Sequence, residues 1–248
     1  MTLCKSKMSR RAGLVLVPLT VLLLSNVGHA NPPTAITTCG FEIRAPGHYY
    51  LATDLACPDW GITIRSNDVY LWLGGYTLQG SSGGNGITLA AVTNIVIRGP
   101  GTVTGFGQGV SLVFSDFSTV IGVTATGNIF HGFVGSFASN NVLQANEATQ
   151  NGHGISLAFG RENMIVANRV INNGGGIGLD FSDGNKIYAN TANSNGRGIA
   201  LSTSRQNEIL GNTALDNTIS DMFDLASDCD DNLWRGNRFS TANQPCIQ

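Results

Sequence analysis

The sequence predicts an all-β solenoid of stacked parallel coils, three short strands to a coil, and three observations carry it. A Gly, apolar, any, Leu-like motif recurs every 22 or 23 residues, apolar residues alternate within each repeat, and asparagines recur in columns at the same period. The motif runs through Gly86-Ile87-Thr88-Leu89, Gly109-Val110-Ser111-Leu112, Gly132-Phe133, Gly154-Ile155-Ser156-Leu157, Gly176-Ile177-Gly178-Leu179 and Gly198-Ile199-Ala200-Leu201, with glycines 23, 23, 22, 22 and 22 residues apart.

The first strand of each coil is this motif, because alternate apolar residues line one face of an extended chain. Two further strands follow, centred near Ile165, Ile187 and Ile209, then near Val170, Ala192 and Ala214; helical spacing is absent. The corners are polar. Asn163, Asn185 and Asn207 open the second strand, Asn146, Asn168, Asn190 and Asn212 close it, and Asn151, Asn173, Asn195 and Asn217 form a third column.

Coils of equal length set equivalent residues above one another at about 4.7–4.9 Å, so like side chains form ladders. Asparagine suits the corners because it tolerates left-handed backbone angles and bonds to the next asparagine in the stack. Phe114, Phe137, Phe159 and Phe181 stand two residues after the Leu-like position. Continued alternation turns them inward, as an aromatic stack in the core. About eight coils are expected, a rod about 40 Å long.

Residues 1–30 read as a signal peptide: Lys5, Lys7, Arg10 and Arg11 precede an apolar run from Gly13 to Leu24, then Gly28 and Ala30. The run is shorter than the roughly 20 residues a membrane span takes and Pro18 interrupts it, so export to the periplasm or medium is expected, with cleavage near Ala30. Residues 31–85 then cap the solenoid and supply its first coils, 86–219 are the regular repeats, and 220–248 close it. Between Asn207 and Asn232 the spacing widens to 25, which places an insertion in the last turn.

Without the leader, ten basic residues face sixteen acidic ones, a formal charge of −6. That balance lacks the basic footprint of a nucleic-acid partner. Cys39, Cys57, Cys229 and Cys246 remain, an even number in an oxidising compartment. Of three formal pairings, a solenoid that holds its ends apart favours Cys39 with Cys57 and Cys229 with Cys246. Trp60, Trp234, Asp228, Asp230 and Asp231 fall near the ends, where unpaired strand edges need protection. The three aspartates also have the residue type for a calcium site, with a short ligand count.

The Gly-Ile-x-Leu repeats and Asn corners resemble those of the right-handed parallel β-helix superfamily, which includes pectate lyases, polygalacturonases and alginate epimerases. They resemble more closely the small bacterial secreted β-helix repeat proteins and the periplasmic accessory protein of nitrous oxide reductase maturation. The resemblance covers nearly all of the exported chain, and it implies a right-handed parallel β-helix that contacts a polysaccharide or a cell-envelope component. It speaks for the fold more than for the function, since geometry demands these repeats whatever the surface does.

Function is therefore sought in the outward columns. Immediately before the repeat glycines stand Asn85, Gln108, His131, His153, Gly175 and Arg197. His131 and His153 become neighbours on adjacent coils with Arg197 two coils on, a binding set with the chemistry of a general base or weak metal site. At the next turn the column reads Asp116, Ser139, Arg161, Asp183 and Arg205, with Asp180 beside it. In the β-helix lyases it resembles, an Arg or Lys removes the proton next to a uronate carboxyl while carboxylates hold calcium. Arg161, Asp180, Asp183 and Arg205 are the catalytic candidates for that chemistry. The Asp-Pro-His signature of alginate epimerases is missing, and Gly152-His153-Gly154 matches a polygalacturonase element at a corner that requires glycines anyway. An apolar stripe, Val142, Met164, Val166, Tyr188 and Leu210, leaves the second strand; Tyr188 joins the binding candidates. Binding of a polysaccharide or envelope component is the leading expectation. A uronate-polymer lyase and a metal-maturation accessory that binds copper through His131 and His153 are the alternatives.

Overall fold

The computed structural model describes residues 32–81 and 83–248. The leader and cleavage site expected from the sequence fall outside the described residues. Three parallel sheets, of ten, nine and seven strands, form the walls of a β-helix, each coil contributing one strand to each wall in turn. The repeats pair in the register their spacing dictates: Val110 lies opposite Ile87 and Phe133, and Ile177 opposite Ile155 and Ile199. The second and third strands appear where the apolar alternation puts them, as Met164–Val166 and Lys186–Tyr188, then Arg169–Ile171 and Thr191–Asn193. Ala214 is buried as expected, but its segment is held by isolated bridges of Thr213 to Thr191 and Arg238 rather than by a strand.

Nine strands in the wall that carries the Gly-Ile-x-Leu motif give about nine turns, one more than the repeat count suggests. The additional turn comes from irregular end segments, Phe41–Ile43 and Ser220–Asp224, which pair in register without the motif.

The core is the column of inward residues, with Ile87, Val110, Phe133, Ile155, Ile177 and Ile199 among those sealed from solvent. All three corners carry asparagine ladders. In one, the Asn163 backbone N–H and side-chain amide both donate to the Asn185 Oδ1 (2.9 and 3.0 Å), and Asn185 repeats the pattern on Asn207 (2.8 and 3.1 Å). Asn168 does the same to Asn190 and Asn173 to Asn195. Each amide also reaches a carbonyl one coil back, so a buried polar corner is satisfied throughout.

Both ends are stapled. Cys39 is bonded to Cys57 and Cys229 to Cys246. The insertion before Asn232 forms a short 3-10 turn, Cys229–Asp231. At this end Trp234 is buried and donates to Asp224, whereas Trp60 at the other end is exposed.

The phenylalanines overturn their expectation. Phe114, Phe137, Phe159 and Phe181 do stack, with centroids 5.0, 4.7 and 5.2 Å apart and planes within 11° of parallel, but about half of each side chain is exposed. Each has a positive φ, between 47° and 56°, so the chain turns left-handed one residue past the strand and the alternation that would bury the ring is broken. The ladder is an external ridge. Because the rings face one another, it presents mainly their edges to solvent.

Candidate functional site

The outer face of the nine-stranded sheet is built from three outward columns. The first is Gln108, His131, His153 and Gly175, followed by Arg197 one coil on; the second is Ser111, Val134, Ser156, Gly178, Ala200 and Phe223; the third is Ser136, Ala158, Asp180 and Ser202. The phenylalanine ridge borders the third column. On the coil Gly175–Asp180 two of the three outward positions are glycine, and there the face opens into a depression of about 490 Å³.

His131, His153, Asp180 and Arg197 line that depression, together with Ser156 and Ser202. The two imidazoles are stacked, 5.6 Å between centroids. Gly175 makes room for the second: a Cβ there would stand 2.3 Å from Nδ1 of His153. His131 is half-buried, and its Nδ1 has no hydrogen-bond partner among the described residues. Burial, and then the neighbouring charge of His153, lower its pKa, which favours the neutral ring. The Arg197 guanidinium lies over the Phe223 ring, 4.4 Å from its centroid, a cation–π contact that orients the group while leaving its N–H donors available. Neither Arg197 nor Asp180 has an ion pair among the described residues. Other charges are engaged: Glu42 with Arg44 and Arg65, Glu147 with Arg169, and Asp230 with Arg205.

Thus three of the four predicted binding residues gather in one place, and one predicted catalytic residue, Asp180, joins them. Arg161, Asp183 and Arg205 instead share a shallower depression of about 330 Å³ with Phe159, Phe181 and Thr203. The Arg205 N–H donates to Asp183 Oδ1 (2.9 Å) and the Arg161 N–H to Ser139 Oγ (3.1 Å). Tyr188 is on the ten-stranded sheet, where its hydroxyl donates to Glu208; burial first, then this carboxylate, raise its pKa. Val142, Met164, Val166 and Leu210 lie half-buried around it on the same sheet.

Two features escaped the sequence reading. One is the opening at Gly175 and Gly178, whose glycines read as part of the repeat. The other is an aromatic hollow of about 390 Å³ on the ten-stranded sheet, formed by Pro33, His48, Tyr49, Tyr50, Tyr70 and Trp72. Its signal was present: His48 and Tyr50, then Tyr70 and Trp72, alternate along Gly47–Leu51 and Val69–Trp72 and pair across them.

A protein-family model described as periplasmic copper-binding protein (NosD) matches residues 61–246. Among solved structures, the fold is similar to the periplasmic alginate epimerase AlgG, with a TM-score of 0.60 and 17% identity over 86% of this chain and 62% of that one. It is also similar to the A-module of the Azotobacter vinelandii mannuronan C-5 epimerase AlgE6, with a TM-score of 0.57 and 15% identity over 85% of this chain and 77% of that one. The chain spans 51–62% of the AlgG chains it matches. No curated protein matches it.

The described residues do not fit a closed copper site. Copper favours imidazole, thiolate and thioether donors. Here the four described cysteines are in disulfides, Met222 is sealed in the core, Met164 stands on the ten-stranded sheet away from the histidine pair, and no group of three or more His, Cys, Asp or Glu stands together among the described residues. Only His131 and His153 remain as a pair. The same holds for calcium at Asp228, Asp230 and Asp231: Asp228 accepts from the Asp230 N–H, and Asp230 faces Arg205.

Proposed function

This chain belongs to the NosD family, and from that premise we propose that it is a periplasmic or secreted β-helix protein that holds a polysaccharide, or another extended envelope polymer, along the outer face of its nine-stranded sheet. Its main activity is binding rather than turnover. One observation carries the reading: the polar side chains of His131, His153, Asp180 and Arg197 line one depression, and among the described residues neither Asp180 nor Arg197 has an ion pair and the His131 Nδ1 has no hydrogen-bond partner. Convergent polar groups with unused bonding capacity are what an oriented, hydroxyl-rich ligand requires. The phenylalanine ridge, along the edge of the same face, adds exposed apolar surface beside the polar columns. Two proteins of similar fold are epimerases of alginate and mannuronan, which supports the polymer class.

Affinity electrophoresis of the oxidised protein in gels cast with alginate, polygalacturonate, xylan and glucan tests the proposal. Retardation by at least one polymer, relieved by the double change Arg197→Gln and Asp180→Asn, is expected. Free migration in every gel would refute it.

A second reading is a uronate-polymer lyase using Arg161, Asp180, Asp183 and Arg205. The shared depression of Arg161, Asp183 and Arg205 supports it, and the position of Asp180 in the other depression weakens it. Ultraviolet-absorbing unsaturated product that disappears with Arg161→Ala or Arg205→Ala would establish it.

A further inference from the structure

The repeat glycines are obligatory. A Cβ at Gly109, Gly132, Gly154, Gly176 or Gly198 would come within 2.1–3.0 Å of a carbonyl oxygen on the following coil. Gly178 differs. It lies inside the strand Gly175–Asp180, lacks a positive φ, and a Cβ there would meet nothing within 4 Å. Among the described residues, no other strand glycine combines ordinary backbone angles with open space. Glycine within a strand weakens it, and where the register runs unbroken, as at Gly178 opposite Ser156 and Ala200, there is no bulge to explain it; such a glycine often marks a place where something else approaches the backbone.

What approaches is read from the surrounding groups. Around Gly178, Arg197 offers guanidinium donors, Asp180 a carboxylate acceptor, His153 a ring nitrogen, and Ser156 and Ser202 hydroxyls. A depression of about 490 Å³ falls within the roughly 300–1,000 Å³ typical of small-ligand sites. A planar carboxylate matches the guanidinium fork in two parallel hydrogen bonds, and neighbouring hydroxyls match the aspartate, imidazole and serines. The exported chain is acidic as a whole, so a carboxylated ligand would be retained by this local arrangement and not by general attraction.

We infer that the depression over Gly178 is a subsite for one carboxylated sugar unit, a hexuronate, with its ring over the Gly178 backbone, its carboxylate on Arg197 and its hydroxyls on Asp180 and His153. The inference rests on the proposed polymer-binding function and names the unit that function recognises.

The experiment is isothermal titration of the mature, oxidised protein with oligogalacturonate and oligomannuronate, against neutral cello- and xylo-oligosaccharides of equal length. The proteins compared are wild type, Gly178→Phe, Ala200→Phe and Arg197→Gln. Gly178→Phe and Ala200→Phe fill the same depression from adjacent coils on an outward column, so either one suffices if the other folds poorly. At least one hexuronate should bind more tightly than the neutral sugars. Filling either position should weaken it about tenfold or more, and Arg197→Gln should do the same while leaving neutral sugars unchanged. Hexuronate binding indifferent to both filled variants overturns the subsite and leaves polymer binding elsewhere on the face intact. Equal binding of hexuronate and neutral sugars, unaffected by Arg197→Gln, overturns the carboxylate assignment alone. If no oligosaccharide binds and no polymer retards the protein, the proposed function itself fails.

Discussion

Asn185→Ala tests how much of the fold's stability resides in its polar corners. Asn185 is sealed from solvent, and its Oδ1 is the acceptor for both the backbone N–H and the side-chain amide of Asn163. Its own amide donates to the carbonyls of Gly160 and Asp183 and to Asn207 Oδ1. After truncation the Asn163 amide keeps Ala138 O, the Asp183 carbonyl keeps the Glu162 N–H, and Asn207 Oδ1 keeps the Asn185 N–H. The Asn163 N–H and the Gly160 carbonyl lose the bonds Asn185 supplied. Two buried polar groups left unsatisfied cost about 1–3 kcal/mol each, so the loss should be about 2–6 kcal/mol. Asn237, at the end of another ladder, makes equivalent bonds to Asn212 but is half-exposed, so water replaces them and Asn237→Ala should cost about 1 kcal/mol. Urea unfolding followed by far-ultraviolet circular dichroism, with both disulfides intact, measures the difference. Equal losses at the two positions would refute the claim that buried satisfaction, rather than corner shape, makes the ladders stabilising.

Three further outcomes are expected. Asp221 accepts from the Asn217 N–H and amide and from the N–H groups of Ser240 and Thr241; burial pushes its carboxyl up, but these bonds outweigh it and bring the pKa below the ordinary 3.8. Its stabilising contribution is therefore present above the unfolded value and lost as pH falls through the folded one, so Asp221→Asn should flatten that part of the stability–pH curve in acid urea titrations. An unchanged curve would show that the cap is insensitive to charge. Gly178→Ala should stabilise by about 0.5–1 kcal/mol, read as a higher melting temperature, since the added methyl meets nothing and the strand loses a flexible residue. Phe159→Ala should cost about 1–3 kcal/mol for two stacked pairs at roughly 0.5–1.5 kcal/mol each, in addition to its buried area, and an unchanged melting temperature would show that the ridge adds nothing to stability.

The period was legible because a solenoid repeats every constraint. Glycine stands before the first inward residue of each Gly-Ile-x-Leu-like motif because the next coil's carbonyl excludes a Cβ, and asparagine stands at each corner because a buried turn needs both donor and acceptor. The phenylalanine ridge was misread for a local reason. Alternation describes an extended chain, and one left-handed residue after the strand reverses which side chains face in; Phe181 points out, and Ser182 is buried behind it. The same turn separates Asp180 from Asp183, three residues apart in the chain and in different depressions. Adding 22 residues at a time correctly brought His131, His153 and Arg197 together. It could not reveal the opening between them, because a vacant outward position and an obligatory repeat glycine are written with the same letter.

That ambiguity indicates where a repeat protein's function should be sought. Inward and corner positions answer to the fold, so uniformity there carries no functional information. The outward columns are free to vary, and a departure there has no structural cause unless a neighbour supplies one. Outward positions change on other coils too, but on the coil Gly175–Asp180 two of the three are glycine, opposite His153 and Ser156 on the coil before, and the third is Asp180, opposite Ala158. Gly175 has a structural reason in the His153 ring it accommodates, but Gly178 has none. The vacancy at Gly178, beside a carboxylate and one coil from an arginine that has no ion pair among the described residues, does nothing for stability. A ligand seated across Gly178 accounts for the two changes that packing does not: Gly178 admits the ring, and Asp180 meets the hydroxyls.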